Sequence, residues 1–259
     1  MNKYDLDYIE DIFYNKPIYI FINHKTSVLC WAQLKNIFGI HNVLTLDSHR
    51  DFHGGLIVNT WGKIPEGWLS KYCDNKNLDH FSKCVEFLEW NLLDLDQNKM
   101  IVEKEGKFLT IHNDNFIDVA FMKNIVKDVF WYYDNTLNEK INGKCDDFLG
   151  KTHKYIVNEM NKFRVPKKKF IFDLDLDFFV KDFDNKRNLI DIAKRESYLK
   201  TIRNLVKKKN CIGITIAIEP DCCGGVKNCL KIFKELNDFV FIPEKLDFLE
   251  KAQKKFFRL

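Results

Sequence analysis

Three side chains that can bind a metal ion follow one short apolar segment. Asp47, His49 and Asp51 come directly after residues 43–46 and are spaced two residues apart. If the chain stays extended, residues at this spacing point to one side and can converge on a single point. Two carboxylates and an imidazole suit a divalent ion such as Mn2+ or Zn2+. The alternative interpretation is a polar loop that follows a buried strand.

A second acidic group lies far along the chain. Asp173, Asp175 and Asp177 alternate with apolar residues within residues 170–179. Three like charges on one face of a strand repel one another, and a bound cation removes that cost. The pattern therefore favours a metal site over a half-exposed strand with a carboxylate face.

Two further polar residues follow apolar segments that are typical of strands. His24 comes after residues 18–22, which are β-branched and aromatic, and Glu219 comes after residues 211–218. A helical pattern over residues 25–38 leads to the strand at 43–47, and such a β-α-β unit places neighbouring strands parallel. The carboxyl ends of parallel strands form the edge at which ligands bind. We therefore expect the four groups of polar residues to share one edge of a sheet.

Other segments indicate their structure less directly. By hydrophobic pattern, we predict helices over residues 1–16, 122–133 and 150–163, and strands over residues 108–111, 117–121 and 239–242. No repeat, low-complexity segment or linker interrupts the chain. We therefore predict one α/β domain over residues 1–259.

The composition argues against several classes of protein. The 259 residues carry a net charge of only +4, so the lysine runs at 167–169 and 207–209 are interpreted as solvated ends of elements. Residues 1–10 are polar and acidic, unlike a signal peptide, and no apolar run approaches the roughly 18 residues of a membrane span. The 8 cysteines lack zinc-finger or redox spacing. We expect a reduced, cytoplasmic protein without nucleic-acid or membrane partners.

The shared order of these motifs resembles the ureohydrolase family, which contains the arginases, agmatinases and histone deacetylases. In that family an early His, an Asp-x-His-x-Asp motif, a late Asp-x-Asp pair and a Glu follow separate strands. Leu46-Asp47-Ser48-His49 and residues 172–179 are most similar to a small arginase-like family that includes the peptide arginases. The resemblance covers residues 18–225. It implies an arginase/deacetylase-like, three-layer α/β/α fold with a mainly parallel central sheet.

The resemblance implies a dinuclear metal centre. Its ligands would be His24, Asp47, His49, Asp51, Asp175 and Asp177. Asp47 and one late Asp would bridge the two ions. Asp173 takes the place of the family's non-ligand Ser and would orient a ligand, although a register with Asp173 and Asp175 as the ligands is the alternative. Carboxylate-rich ligation favours two Mn2+ ions over Zn2+ or Fe2+.

The implied chemistry is hydrolysis of a guanidinium group to urea and an amine. A hydroxide that bridges two metal ions would attack the guanidinium carbon. Glu219 would bind the guanidinium, its alternative role being a cap of the following helix. The segment that carries the proton-shuttling His of arginase is absent. His53 is therefore the candidate general acid, and its alternative is a solvated loop residue.

The implied substrate is an arginine residue in a peptide or precursor peptide, which would become ornithine. The loops that hold the α-amino and α-carboxylate groups of free arginine are not recognisable, and this favours a peptide over free arginine or agmatine. A Zn2+-dependent deacetylase or amidohydrolase of the same fold and a metal-dependent binding module are further alternatives. Because the deacetylases lack a guanidinium partner, a correctly aimed Glu219 favours ureohydrolysis.

Overall fold

The structure is a computed structural model. It describes residues 8–48, 95–96, 99–104, 107–111, 116–122, 124–133, 143–146, 152–159, 165–183, 186–241 and 248–257. The predicted site residues His49, Asp51 and His53 lie outside these ranges.

An eight-stranded sheet forms the centre of the described part of the chain. In chain order, its strands are β1 (Tyr8–Phe13), β2 (Lys16–Phe21), β3 (His41–Leu46), β7 (Val126–Tyr133), β8 (Gly143–Asp146), β9 (Thr152–Glu159), β10 (Phe170–Asp175) and β13 (Cys211–Ala217). The spatial order is β1-β2-β13-β10-β3-β7-β9-β8. Strands β2 to β9 in this order are parallel, and β1 and β8 pair antiparallel at the two ends.

Two small antiparallel sheets accompany the central one. The first contains β4 (Leu95–Asp96), β5 (Lys99–Lys104) and β6 (Lys107–Ile111), and the second contains β11 (Val180–Phe183) and β12 (Lys186–Leu189).

Helices cover both faces of the central sheet. They are α1 (Ser27–Phe38), α2 (Phe116–Met122), α3 (Ile192–Val206), α4 (Val226–Phe239) and α5 (Phe248–Ala252), the last followed by a π-helical turn at Gln253–Phe257. One apolar core lies between the sheet and α3, α4 and α5, and a second lies between the sheet and α1 and α2. The predicted α/β class and mainly parallel sheet are confirmed, and the two cores are compatible with three layers.

The central strands β3, β10 and β13 are buried along their whole length. Parallel strands with helices on both faces are typically apolar throughout, and most residues here fit that rule. The exceptions include Thr45, Asp173 and Thr215, which are at most 1% exposed. Polar groups buried this deeply require hydrogen-bond partners, and Thr45 and Thr215 both donate hydrogen bonds to Asp173.

Several local predictions were wrong. The described part of residues 1–16 contains strand β1, which pairs with β2 through a turn where Tyr14 and Asn15 have φ values of 48° and 58°. Residues 126–133 and 152–159 form strands β7 and β9 rather than helices, and the strand predicted at 117–121 falls on α2. Of the strand predicted at 239–242, Phe239 ends α4, residues 240–241 form a turn, and residue 242 lies outside the described residues. Sheet pairing and burial override local preference in these short apolar segments. The strand predicted at 108–111 is confirmed as β6.

In the part of the chain that the structure describes, every helix is too short or too polar to cross a membrane.

Candidate metal centre

Polar side chains lie at the carboxyl ends of four neighbouring strands, along one edge of the sheet. Strands β2, β13, β10 and β3 are adjacent and parallel, so their carboxyl ends lie together. The residues that end or follow them are His24, Asp47, Asp175 and Glu219. Each is at most 8% exposed. The sequence-based expectation of a shared edge is thus met by the residues that the structure describes.

His24 stands at the middle of this cluster, in a 3-10 turn at His24–Thr26. Its Nδ1 atom lies 3.3 Å from Oδ2 of Asp47 and 3.3 Å from Oδ2 of Asp175. One ligand atom from each of these three residues lies within 4.8 Å of the others. An imidazole nitrogen and two carboxylate oxygens at this separation can coordinate one divalent ion.

Asp173 holds His24 from the other side of the ring. The Nε2 atom of His24 lies 2.7 Å from Oδ2 of Asp173. The same oxygen accepts a hydrogen bond from Thr45 at 2.9 Å. The other oxygen accepts from Ser27 at 2.8 Å and from Thr215 at 2.5 Å. Each carboxylate oxygen therefore receives two hydrogen bonds, which uses its acceptor capacity. Asp173 is placed to orient His24 rather than to bind a metal ion itself.

The partners of Asp173 follow from strand register. Thr45 on β3 and Thr215 on β13 are its direct cross-strand neighbours, and Ser27 begins α1. A glycine allows α1 to pack close to β13, because a Cβ atom at Gly213 would lie 2.6 Å from Cδ1 of Leu34. Sequence reasoning missed these hydroxyl residues. The available signal was a Thr inside each of two otherwise apolar segments.

The chain turns immediately after Asp175. Residues Leu176–Phe179 form a 3-10 helix, so Asp177 does not continue the strand face on which Asp173 and Asp175 lie. Oδ1 of Asp175 accepts the backbone N–H of Asp177 at 3.0 Å, and Oδ1 of Asp177 accepts that of Ser48 at 3.2 Å. These bonds connect the two acidic segments found in the sequence. Asp175 lies beside Nδ1 of His24, whereas Asp173 lies beside Nε2 on the other side of the ring.

Asp47 is fixed through its backbone. Its N–H donates to the carbonyl of Tyr132 at 3.2 Å, and its carbonyl accepts from Nε1 of Trp131 at 3.1 Å. The ring of Phe116 packs on His24 with 4.7 Å between ring centroids. Strand β7 and helix α2 therefore supply an apolar wall beside the polar cluster.

The protonation of His24 and Asp175 reflects their crowded, buried surroundings. Burial opposes a charge on His24, but Asp173, together with hydrogen bonds to Asp175 and Asp47, raises the pKa of His24 well above its usual value. Burial and the charge of Asp177 raise the pKa of Asp175. Burial opposes ionisation of Asp173, but His24 and the hydroxyl donors outweigh it and lower the pKa of Asp173. Without a metal ion, the cluster therefore retains protons that a cation would displace.

We expect the affinity of this centre for Mn2+ to rise with pH. The Nδ1 atom of His24 must lose its proton to bind a metal ion, and the raised pKa of His24 means that the folded protein resists that loss. Each displaced proton contributes up to about tenfold in affinity per pH unit below that raised pKa. Calorimetric titration with Mn2+ from about pH 6 to about pH 8 measures this slope. Equal affinity across that range would contradict the assignment of His24 as a ligand.

Glu219 lies next to His24 in an unusual backbone conformation. Its φ is 38°, a region that non-glycine residues rarely adopt and that often marks functional sites. Oε1 of Glu219 accepts the backbone N–H of His24 at 2.8 Å. Its carbonyl accepts from the backbone N–H groups of Cys222 and Cys223, both at 2.9 Å. The side chain of Glu219 is thus directed to the turn that carries His24.

The alternative interpretation of Glu219 as a helix cap is wrong. Helix α4 begins after Gly225, which has a φ of 105° and provides no side-chain cap. The turn between Glu219 and Gly225 is closed by bonds from the backbone N–H groups of Cys222 and Cys223 to the carbonyl of Glu219 and from that of Gly225 to the carbonyl of Pro220. The side chain of Glu219 binds the backbone of His24 and does not cap α4.

The structure brings together His24, Asp47, Asp173, Asp175, Asp177 and Glu219. The predicted ligands His49 and Asp51 and the predicted general acid His53 lie outside the described residues. Compared with known proteins, the chain matches no family model, and no curated protein is similar enough to count as a match.

Proposed function

We propose that this protein hydrolyses the guanidinium group of arginine residues in a peptide or protein, giving ornithine and urea, with two Mn2+ ions as cofactors. The observation that carries the proposal is the convergence of one imidazole nitrogen and two carboxylate oxygens within 4.8 Å, with a further buried carboxylate on the adjoining turn. The donor set is mainly oxygen, which suits Mn2+. The choice of a peptide substrate rests on the resemblance to the peptide arginases.

We assign one set of residues to metal binding and another to substrate binding. His24, Asp47, Asp175 and Asp177 would hold the metal ions together with His49 and Asp51. Bound divalent ions supply a hydroxide nucleophile at neutral pH by lowering the pKa of water. Asp173 would accept a hydrogen bond from Nε2–H of His24 and so hold the tautomer in which Nδ1 presents its lone pair to a metal ion.

Glu219 would receive the cationic guanidinium. A carboxylate pairs with a guanidinium through two parallel hydrogen bonds, and the bond from the backbone of His24 holds this carboxylate beside the cluster. The leaving amine must gain a proton as the bond between carbon and nitrogen breaks. His53 is the proposed donor, so the balanced reaction converts arginine and water to ornithine and urea.

The test combines turnover with a single substitution. Metal-free protein is supplied with Mn2+ and an arginine-containing peptide, and mass spectrometry follows the loss of one CH2N2 unit per arginine. We expect Glu219→Gln to retain both metal ions but to lose nearly all turnover, because it removes the charge that pairs with the guanidinium. Metal content is measured on the same sample.

Controls separate this reaction from its alternatives. Free arginine, agmatine and an acetyl-lysine peptide are tested in parallel with the arginine peptide. Release of acetate, or full activity of Glu219→Gln on the lysine peptide, would point to a deacetylase instead. Mass spectra that stay unchanged for a panel of arginine peptides and for free arginine would refute the proposal.

A further inference from the structure

A lysine-rich surface lies at the edge of the sheet opposite the candidate metal centre. This basic strip consists of Lys16, Lys167, Lys168, Lys169, Lys207, Lys208 and Lys209. The two lysine runs are distant in sequence, but they precede β10 and β13, which are adjacent and parallel. Asn210 joins the runs, since its side chain donates to the carbonyl of Pro166 at 2.8 Å and its carbonyl accepts from Phe170 at 2.9 Å. Two runs that look like separate solvated ends in the sequence thus form one surface.

A groove with a volume of about 430 Å³ opens within the basic strip. Its walls include Tyr14, Phe38 and Ile212, and its charged lining is formed by Lys16, Lys207 and Lys209. This volume is within the range of sites for small ligands or single side chains. The groove therefore suits a ligand that combines an apolar group with negative charge.

Two of the ammonium groups, those of Lys16 and Lys207, are held in place. Lys16 is only 9% exposed, and its Nζ donates to the carbonyls of Val206 and of Lys208, the latter at 2.9 Å. Nζ of Lys207 lies 5.4 Å from the ring centroid of Tyr14. Cation–π contacts of this kind restrain lysine heads beside aromatic rings. Together these contacts hold positive charge at the groove.

The basic strip and the candidate metal centre carry opposite charges. Residues 14–18, 165–170 and 206–213, which form the described ends at the basic strip, contain no Asp or Glu. The opposite edge carries Asp47, Asp173, Asp175, Asp177 and Glu219. A ligand with a cationic end and an anionic end would be attracted to both edges, whereas a uniformly anionic one would be repelled by the second.

We propose that the basic strip docks an acidic segment of the same peptide whose arginine enters the metal centre, with one apolar side chain of that segment in the groove. The inference rests on the proposed function. A polyphosphate such as single-stranded nucleic acid fits less well, because the strip contains no arginine. Arginine predominates where phosphates are bound by paired hydrogen bonds, and the acidic edge repels a phosphate backbone.

The length of the strands sets the distance between the arginine in the metal centre and the acidic segment on the basic strip. Strand β10 contains 6 residues, and at about 3.3 Å per residue the two edges are roughly 20 Å apart. An extended chain covers about 3.3–3.6 Å per residue, so about 6 residues span this distance in a straight line and a route over the surface needs more.

Binding is tested first, with a probe that contains no arginine. The probe is a fluorescent peptide of Asp and Glu residues around one Phe, and its anisotropy is followed at low salt. We expect the variant with Lys168→Gln, Lys207→Gln and Lys209→Gln to bind about tenfold more weakly, since each exposed ion pair contributes about twofold. The three substituted lysines are exposed, whereas Lys16 is buried and is left intact.

The control removes three positive charges elsewhere. Lys227, Lys231 and Lys234 are exposed on α4, and their replacement by Gln should change the affinity less than about twofold if the strip is the docking site. Equal losses in both variants would overturn the inference, because they would indicate attraction to the overall charge. Tighter binding of an oligothymidylate of equal charge would overturn it in favour of a nucleic-acid surface.

Turnover is tested second, and it separates this inference from the proposed function. Two peptides carry the same arginine about 12 residues from either a Glu-rich or a Gln-rich segment. We expect a lower KM and the same kcat for the Glu-rich peptide. In the protein with Lys168→Gln, Lys207→Gln and Lys209→Gln, the two peptides should have the same KM. Equal KM values would overturn the docking while the hydrolysis stands. Binding of the acidic probe without conversion of any arginine would support the docking and refute the hydrolysis.

Discussion

Replacement of Asp173 by Asn is expected to lower the free energy of unfolding by about 3–5 kcal/mol, because it breaks a buried charge pair and leaves donors without acceptors. Asp173 is 0% exposed and accepts hydrogen bonds from four side chains. An asparagine amide would present N–H groups to donors that already point at this position. Urea denaturation of the metal-free protein measures the effect.

The same substitution should weaken binding of Mn2+ by about 10–100-fold, as is typical when the group that orients a metal-binding His is lost. Ser27→Ala is the matched control, since it removes only one of the four hydrogen bonds to Asp173. It should cost about 1 kcal/mol and leave metal binding nearly unchanged. If Asp173→Asn bound Mn2+ as tightly as the natural protein, the proposed orienting role would be wrong.

Replacement of Asp175 by Asn is expected to change metal binding and stability in opposite directions. A proposed ligand oxygen is lost, so the affinity for Mn2+ should fall by more than the roughly 100-fold upper limit for a supporting residue. The metal-free protein should nevertheless become more stable at neutral pH. Burial and the charge of Asp177 raise the pKa of Asp175 well above its usual value, so its ionised form is unfavourable in the folded protein.

The direction of the pH effect follows from that raised pKa. The folded protein binds the proton of Asp175 more tightly than the unfolded chain does. Stability is therefore fully present below the ordinary carboxyl pKa and is lost as pH rises through the raised pKa of Asp175. Asparagine has no such proton, so the thermal midpoint of Asp175→Asn should fall less between acidic and neutral pH.

Asp191→Asn is the control for the loss of one negative charge. Asp191 caps α3 and accepts the backbone N–H of Ala193 at 2.8 Å in an exposed position. Asparagine is an equally good cap, so neither metal binding nor stability should change much. A metal-free Asp175→Asn protein that is less stable than the natural one at neutral pH would contradict the argument.

The edge of the sheet that carries the candidate site could be predicted because each strand is short and is followed at once by a polar residue. His24, Asp47 and Glu219 all follow β-branched or apolar segments, and the carboxyl ends of parallel strands meet at one edge. The 3-10 turn after Asp175 was not foreseen. It moves Asp177 off the strand face that an alternating pattern implies.

The hydroxyl groups around Asp173 could not be predicted, because they depend on which strands are neighbours. Thr45 and Thr215 become partners of Asp173 only once β10 lies between β3 and β13. A sequence gives the strands but not their lateral order. The errors at β1, β7 and β9 have a related cause, since pairing with a neighbour decides the structure of short amphipathic segments.

The proximity of the two lysine runs could not be predicted either, because it also depends on which strands are neighbours. In the sequence they are two separate ends of elements, and the interpretation as solvated ends was reasonable for each alone. Their shared surface exists because β10 and β13 are adjacent and parallel. Charged residues that are distant in the sequence can thus lie on one surface of the folded protein.

The hydrogen bond between Glu219 and the backbone of His24 joins residues that are 195 positions apart. Contacts with such long loops form late and slowly, because the entropy of closing the loop must be overcome first. The centre therefore cannot assemble until β2, from the early part of the chain, has paired with β13, from the late part. A metal ion that binds only this assembled state would stabilise the native protein by mass action. Metal uptake would consequently report the completion of folding, and a chain released before residue 219 is synthesised would lack the site.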